Sequence, residues 1–572
     1  MNNILSKRIL MYLLLTISFF ITIIVLYQNI HSDECEIKYF NTIIDSMLLA
    51  VLVLFCKKRR YIYIYLLLII LYILSIIWYF RTYSTIMPLS SYLLIDNLAG
   101  LGPSIRHSIR LSDIVLIIPL SLYLLFYEWI YHKWIKKEKI NSKHQIIISL
   151  SCLLLIIGSV SIPYWPNKRP FYKQPLYLFQ IIGSSAIKKY GIINYWIYQF
   201  ASLRPVSEKS KQYVYTYMKR KSQKKNYSSI CHNKNLIVIL VESLQSWTIN
   251  LKIEQTEITP YINQLIKDSS TIYFPKVVPQ VKDGRSSDAQ LLINTGLLPL
   301  ATGATSSLCA TNTFPSLPSA LKEKGYNSIS FICDSRTFWN QGCTTIAYGF
   351  NKLYDHLQKK DGKRTADEEL FKYSLAILSQ EKSPFYAQLV TLSSHEPYTT
   401  PLVTNSSLEQ KKIENNEVKN YLIAIEYVDK CIGQFIEALK REKLYDSSII
   451  IITGDHEQMT FNNYEGRAQL KAEDCLVPFI IINSPLKSPN TSYYLGQVDI
   501  YPSLLDIMGC STYTWRGLGE SVFNSEVSNY ATFRTNIAAG DKNISDSVKK
   551  SRDECWKISD ILLRMNYFEN FH

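Results

Sequence analysis

Leu236-Ile237-Val238-Ile239-Leu240-Val241 is an unbroken apolar run of strand length, and it ends on Glu242. A strand with one wet face alternates polar and apolar residues. An uninterrupted run of branched side chains predicts a strand covered on both faces. Ser328–Cys333, Phe385–Leu392, Ser448–Ile452 and Phe479–Ile482 are further candidates for buried strands. Between these lie helical patterns at Tyr261–Lys267, Phe314–Lys324, Val418–Leu439 and Tyr501–Met508. Apolar strands alternating with helices predict an α/β domain with a mostly parallel central sheet, covering residues 231–525.

Parallel sheets bind ligands beyond the carboxyl ends of their strands. Glu242 follows the first strand, Asp334 the second and His395 the third. Asp455 and His456 follow the fourth through Thr453-Gly454. One acid after a strand is an ordinary cap or turn former. Four strand ends delivering carboxylates or imidazoles to one sheet edge predict a site for a divalent cation, because mixed oxygen and nitrogen donors suit Mn²⁺, Mg²⁺ or Zn²⁺. Gly284-Arg285-Ser286-Ser287-Asp288-Ala289-Gln290 supplies a nucleophile. Ser287 with Gln290 fits a capping box, which places Ser286 at a helix N-terminus where free amides and the dipole favour an anion. A serine hydroxyl needs a metal or a base to become nucleophilic.

Upstream of Asn235 the composition changes. Five apolar runs, Ile9–Leu26, Phe40–Cys56, Tyr61–Phe80, Ile114–Tyr131 and Gln145–Pro163, contain no Lys or Arg. Each is close to the ~20 residues that cross a ~30 Å hydrocarbon core. A cleaved signal peptide would explain one run, not five. The chain carries 62 Lys and Arg against 47 Asp and Glu, a net charge of +15. Much of that charge lies between the apolar runs. Lys7, Arg8, Lys57, Lys58, Arg59, Arg60, Lys133, Lys136, Lys137, Lys139 and Lys143 fall on one side; Lys38, Arg81, Arg106 and Arg110 fall on the other. The richer side is cytoplasmic. The expected topology is therefore a multi-pass domain of five transmembrane helices over residues 1–163 with a cytoplasmic N-terminus. A juxtamembrane helical linker (164–230), the extracytoplasmic α/β domain (231–525) and a C-terminal tail with a terminal helix (526–572) follow. Apolar and aromatic fractions of 47% and 13% exclude a disordered chain. No Walker loop, dinucleotide fingerprint or nucleic-acid motif is present.

The ordered motifs resemble those of the lipoteichoic acid synthase and phosphoglycerol transferase family, within the sulfatase and alkaline phosphatase superfamily. Val238–Trp247 resembles the family's first metal strand and Thr259-Pro260-Tyr261 its following turn. Gly284–Asp288 resembles Gly-Lys-Thr-Ser-Asp, Gly454-Asp455-His456 matches Gly-Asp-His, and Leu495–Leu504 matches a late Gln-x-Asp-x-x-Pro helix start. The resemblance implies Glu242, Ser286, Asp455 and His456 as metal ligands and Ser286 as nucleophile. It implies His395 as a phosphate-binding or proton-moving group, with Arg285, Asp334, Arg336 and Trp339 on the substrate side. One metal ion is implied, Mn²⁺, with Mg²⁺ or Zn²⁺ as alternatives. Two positions depart from the family: Gln341 stands where an Arg is usual, and Ile332 where close relatives carry His.

The expected activity is transfer of a phosphoglycerol headgroup from phosphatidylglycerol, through a phospho-Ser286 ester, to a glycan or glycolipid acceptor at the outer face of a bacterial plasma membrane. A phosphoethanolamine transferase acting on a glycolipid and a phosphodiesterase of the same superfamily are the alternatives. A sulfatase would need Pro and Arg after the nucleophile, and Ser287-Asp288-Ala289-Gln290 has neither. A catalytically dead membrane scaffold is disfavoured by the complete ligand set. Cys333 and Cys343, which bracket Trp339, are candidates for a bridge.

Overall fold

The computed structural model describes residues 2–30, 39–56, 58–83, 108–130, 191–202, 205–221, 233–336, 338–355, 367–396, 406–457, 475–533 and 537–570, with isolated positions between these spans. The chain forms two compact units that divide at Arg204 and Pro205.

The first unit is helical. Helices α1 (Asn2–Asn29), α2 (Tyr39–Ala50), α3 (Arg59–Tyr83) and α4 (Ile114–Ile130) carry the first four apolar runs. Among the described residues, three stretches, Ile9–Asn29, Arg59–Arg81 and Leu111–Trp129, are long and apolar enough to cross a membrane; Tyr39–Leu54 is shorter. The fifth run, Gln145–Pro163, and the basic loop before it lie outside the described residues. Exposed apolar side chains, such as Leu67, Leu68, Leu122 and Leu125, suit a lipid solvent rather than water. Asp45, the acid inside the second run, has a structural use: its carboxylate accepts the N–H of Ile192 at 2.6 Å, at the start of α5 (Ile192–Ser202).

The second unit begins with α6 (Glu208–Lys221), so the segment expected to be one linker is divided between the two units. Its strands are β1 (Asn235–Val241), a small hairpin of β2 (Lys252–Ile253) and β3 (Thr256–Glu257), β4 (Ile272–Val278), β5 (Asn327–Ile332), β6 (Lys352–Tyr354), β7 (Phe385–Val390), β8 (Ser448–Gly454), β9 (Val477–Ile482), β10 (Leu495–Gly496), and a ribbon of β11 (Tyr530–Phe533) and β12 (Ile537–Gly540). Eight of them form one sheet in the order β10-β4-β9-β8-β1-β7-β5-β6. β9 runs antiparallel to both neighbours and every other pair is parallel. β1, β7 and β8 are buried along their whole length, as expected of central strands covered on both faces.

Helices cover both faces. On one lie α7 (Pro260–Leu265), α10 (Asp367–Leu378) and α11 (Asn416–Arg441), packed over Ile237, Ile239 and Ile450. On the other lie α8 (Ser286–Thr295), α12 (Ile500–Ile507) and α13 (Asp546–Arg564), packed over Val238, Leu240 and Ile451. A further helix, α9 (Gln341–Ala347), follows β5. The C-terminal tail shares this core through Trp556, Ile558, Leu562 and Phe568. Cys333 and Cys343 are both free thiols, the first buried and the second exposed, so the suggested bridge is not made.

Candidate active site

The central strands β8-β1-β7-β5 are parallel neighbours, so Glu242, Asp455-His456, His395 and Asp334 emerge from one edge of the sheet. Three of them converge: donor atoms of Glu242, Asp455 and His456 all lie within 4.8 Å of one another, and all three residues are buried. Backbone contacts fix the first two. The Glu242 N–H donates to Thr391 Oγ1 at 2.9 Å, and Ser394 Oγ donates to the Glu242 carbonyl at 2.5 Å. The Asp455 N–H donates to the Val241 carbonyl, continuing the β1–β8 ladder by one residue. Gly454 is needed before it, because a Cβ there would stand 2.1 Å from the Leu244 carbonyl oxygen.

His456 Nδ1 lies 2.8 Å from the carbonyl of Glu457. A carbonyl only accepts, so Nδ1 carries the proton and Nε2 presents a lone pair. That lone pair faces Glu242 Oε1 at 3.4 Å, Asp455 Oδ2 at 3.5 Å and Ser286 Oγ at 3.4 Å. Ser286 Oγ donates to Glu242 Oε2 at 3.2 Å. Asp455 Oδ2 is buried and accepts no hydrogen bond from the described residues. Burial, and then the neighbouring Asp455 carboxylate, push Glu242 well above the ordinary carboxylate range. Two buried carboxylates, an imidazole lone pair and a hydroxyl oxygen pointing inward are costly without a cation and favourable around one. The residues present therefore fit a divalent metal held by Glu242, Ser286, Asp455 and His456.

Ser286 is the first residue of α8, as expected, but the local chemistry differs from the sequence expectation. The Ser287–Gln290 capping box is not formed. Ser287 Oγ donates to the Gly284 carbonyl and meets Ser306 Oγ, while Gln290 Nε2 donates to Gln341 Oε1. Asp288 folds back instead, accepting the N–H groups of Lys282 and Gly284, and burial raises its carboxyl to about 7. The amides of Ser287 and Asp288 are taken by the Gly284 and Arg285 carbonyls, so the turn offers its dipole rather than a row of free donors.

The expected substrate-side residues are dispersed. Arg285, with φ of +46°, sends Nη1 2.9 Å to Glu457 Oε1 in a buried ion pair. Arg336 pairs with Asp355 through two guanidinium bonds at 2.7 and 2.9 Å and stays exposed. Trp339 is buried in edge contact with Phe338. Asp334 is half-buried at the end of β5. His395 is half-buried after β7, with Nδ1 2.6 Å from the Glu396 carbonyl, the same tautomer-setting contact as His456. Sequence reasoning missed Glu457 and Thr391, which carry no motif signal, and gave no role to Gln497 inside a motif it had recognised.

Fold and site together define a hydrolase-like domain of the alkaline phosphatase and sulfatase class, joined to a membrane-helix region. The sulfatase family profile matches residues 234–510, and the profile of the lipoteichoic acid synthase N-terminal domain matches residues 1–211. The lipoteichoic acid synthase of Staphylococcus saprophyticus is 28% identical over 483 residues, 80% of this chain and 73% of that one. The crystal structure of the lipoteichoic acid synthase LtaP from Listeria monocytogenes shares the fold with a TM-score of 0.52 at 24% identity, covering 61% of this chain and 98% of its own. The lipooligosaccharide phosphoethanolamine transferase A of Neisseria meningitidis, an integral membrane protein, gives 0.54 at 13% identity, covering 89% and 97%. In both matched regions the chain is similar to the lipoteichoic acid synthase family of enzymes.

Proposed function

We propose that the protein moves a phosphoglycerol headgroup from phosphatidylglycerol to an extracytoplasmic glycan or glycolipid acceptor, through an ester on Ser286. The observation that carries this is Ser286 Oγ at a helix start, 3.2 Å from Glu242 and 3.4 Å from His456 Nε2. A divalent cation held by Glu242, Ser286, Asp455 and His456, Mn²⁺ by family resemblance, would neutralise the phosphoryl oxygens and lower the serine pKa.

The remaining steps belong to the chain. Glu242 Oε2 already accepts the Ser286 hydrogen bond, so it is placed to hold that proton. A Ser286 Oγ–P bond forms in line as the P–O bond to diacylglycerol breaks, and the departing oxygen takes a proton, for which His395 in its doubly protonated form is the candidate donor through Nε2. The α8 dipole favours the negative phosphoryl group. In the second half an acceptor hydroxyl gives its proton back to His395 as its oxygen forms the new O–P bond, the Ser286–P bond breaks, and the proton held by Glu242 returns to Ser286. Arg285 is committed to Glu457, so it acts on the loop rather than on phosphate. Asp334, Arg336 and Trp339 follow β5 and keep a substrate-side role only as the family resemblance implies it. The Lys and Arg asymmetry supports five crossings with the N-terminus cytoplasmic and the catalytic unit outside.

The test is intact mass spectrometry of the full chain in detergent, incubated with Mn²⁺ and phosphatidylglycerol. One added glycerophosphoryl group, absent in Ser286→Ala, is expected. Lipid left intact, with an adduct from phosphatidylethanolamine instead, moves the assignment to phosphoethanolamine transfer. Lipid consumed equally by Ser286→Ala overturns the covalent route.

A further inference from the structure

The Leu495–Leu504 motif is recognisable in the sequence but has no part in the chemistry above. Its residue Gln497 is wholly buried and spends its amide on two different loops. Gln497 Oε1 accepts the Gln280 N–H at 2.8 Å, on the segment that leads into Ser286. Gln497 Nε2 donates to the carbonyls of Asp455 at 2.7 Å and Gly454 at 3.2 Å, on the loop that carries two metal-site residues. Gln280 answers with its own side chain: Oε1 accepts the Val498 N–H at 3.0 Å, and Nε2 donates to the Thr532 carbonyl. The approach is close, since a Cβ on Gly496 would stand 2.4 Å from Gln280 Oε1.

Two residues on, Asp499 locks this motif to the C-terminal helix. Arg552 of α13 grips it with both guanidinium nitrogens, at 2.8 and 2.5 Å, and both partners are buried. Asp499 also accepts the N–H groups of Gly496 and Glu520. Gln497 is therefore held from behind while it holds two loops in front.

We infer that Gln497 is a positioning residue that fixes the spacing between the nucleophile loop and the Asp455–His456 loop, and so sets the affinity of the site for its cation. The inference rests on the metal-site assignment above. A buried amide bridging two loops acts through geometry, and outer contacts of this kind are worth roughly 10- to 100-fold in metal affinity. None of the clamp residues is among those assigned to the lipid, so its KM is expected to stay unchanged.

The experiment compares the full wild-type chain with Gln497→Met, which keeps the side-chain volume and removes all three hydrogen bonds. Gln497→Ala serves as a second variant if the first fails to fold. Hydrogen exchange on metal-free protein is expected to show lost protection in peptides covering 279–288. Mn²⁺ titration is expected to show affinity weakened roughly 10- to 100-fold. Activity should return at saturating Mn²⁺ with the lipid KM unchanged. Unchanged protection around Gln280, or Mn²⁺ affinity within twofold of wild type, overturns the inference. A wild-type chain that takes up no Mn²⁺, Mg²⁺ or Zn²⁺ overturns the metal-site assignment instead, and exchange still decides whether the clamp exists.

Discussion

At the residue scale, the position before the nucleophile shows how the site is held. Arg285 adopts φ +46° and ψ −121°, a conformation that costs a non-glycine residue about 1–3 kcal/mol. The ion pair with Glu457 offsets that strain and anchors the chain next to His456, whose Nδ1 contacts the Glu457 carbonyl. Removing one member of a buried pair strands the other charge, at a cost of about 3–5 kcal/mol. Arg285→Ala is accordingly expected to lower the thermal midpoint of the full chain by more than the double variant Arg285→Ala with Glu457→Ala. Equal midpoints would show that the pair holds nothing. Neither partner's role was legible from spacing alone. An Arg beside a serine looks like a phosphate ligand until its carboxylate, 172 residues away, is placed against it.

At the element scale, the buried strands were the most legible features and β4 the least. Its sequence, Ile272-Tyr273-Phe274-Pro275-Lys276-Val277-Val278, carries a proline and a lysine inside the run. The register against β9 shifts between Phe274 and Val277, a bulge that accommodates a residue with no N–H. Helix starts followed partner availability instead of local signals, as Asp429 illustrates. This α11 residue accepts the Tyr261 and Ile262 N–H groups at 3.0 and 2.8 Å, capping α7 from a distant segment. Burial raises its carboxyl from 3.8 to about 7, against the lowering effect of those two bonds. A raised carboxyl contributes stability that is fully present below about pH 4 and lost as pH rises through about 7, amounting to at most about 4 kcal/mol. The thermal midpoint of wild type relative to Asp429→Asn is therefore expected to fall between pH 5 and pH 7.5. A difference that is flat across that window would exclude an ionising cap.

At the scale of the whole molecule, residues 526–572 belong to the catalytic unit. Trp556, Ile561 and Leu562 pack in the same cluster as Val238, Leu240 and Ile451 of the central sheet. Trp556 Nε1 donates to Thr532 Oγ1, and Ser559 Oγ to the Leu298 carbonyl. A chain ended at residue 525 would uncover that core and leave Asp499 without Arg552. It is expected to lose cooperative unfolding and to be cleaved by protease at concentrations the full chain survives. Full protease resistance of the shortened chain would show that the tail is an accessory. The membrane-helix unit has a different logic. A lipid donor stays in the bilayer, so tethering the catalytic unit there raises the effective substrate concentration without any new contact.

The sequence by itself determined the α/β class, the central buried strands, the apolar helices and the four strand ends that deliver Glu242, Asp334, His395 and Asp455-His456. Each is written in local pattern, because burial on two faces demands continuous apolar residues and a strand end fixes where the next side chain falls. Tertiary structure alone decided which of those groups converge. It brought Glu242, Asp455, His456 and Ser286 together, diverted Arg285 to Glu457 and Arg336 to Asp355, buried Trp339, and set Gln497 between two loops. Hydrogen bonds and ion pairs between residues far apart in sequence leave no periodic trace in it, and a buried polar group takes whichever partner the packed fold brings within reach.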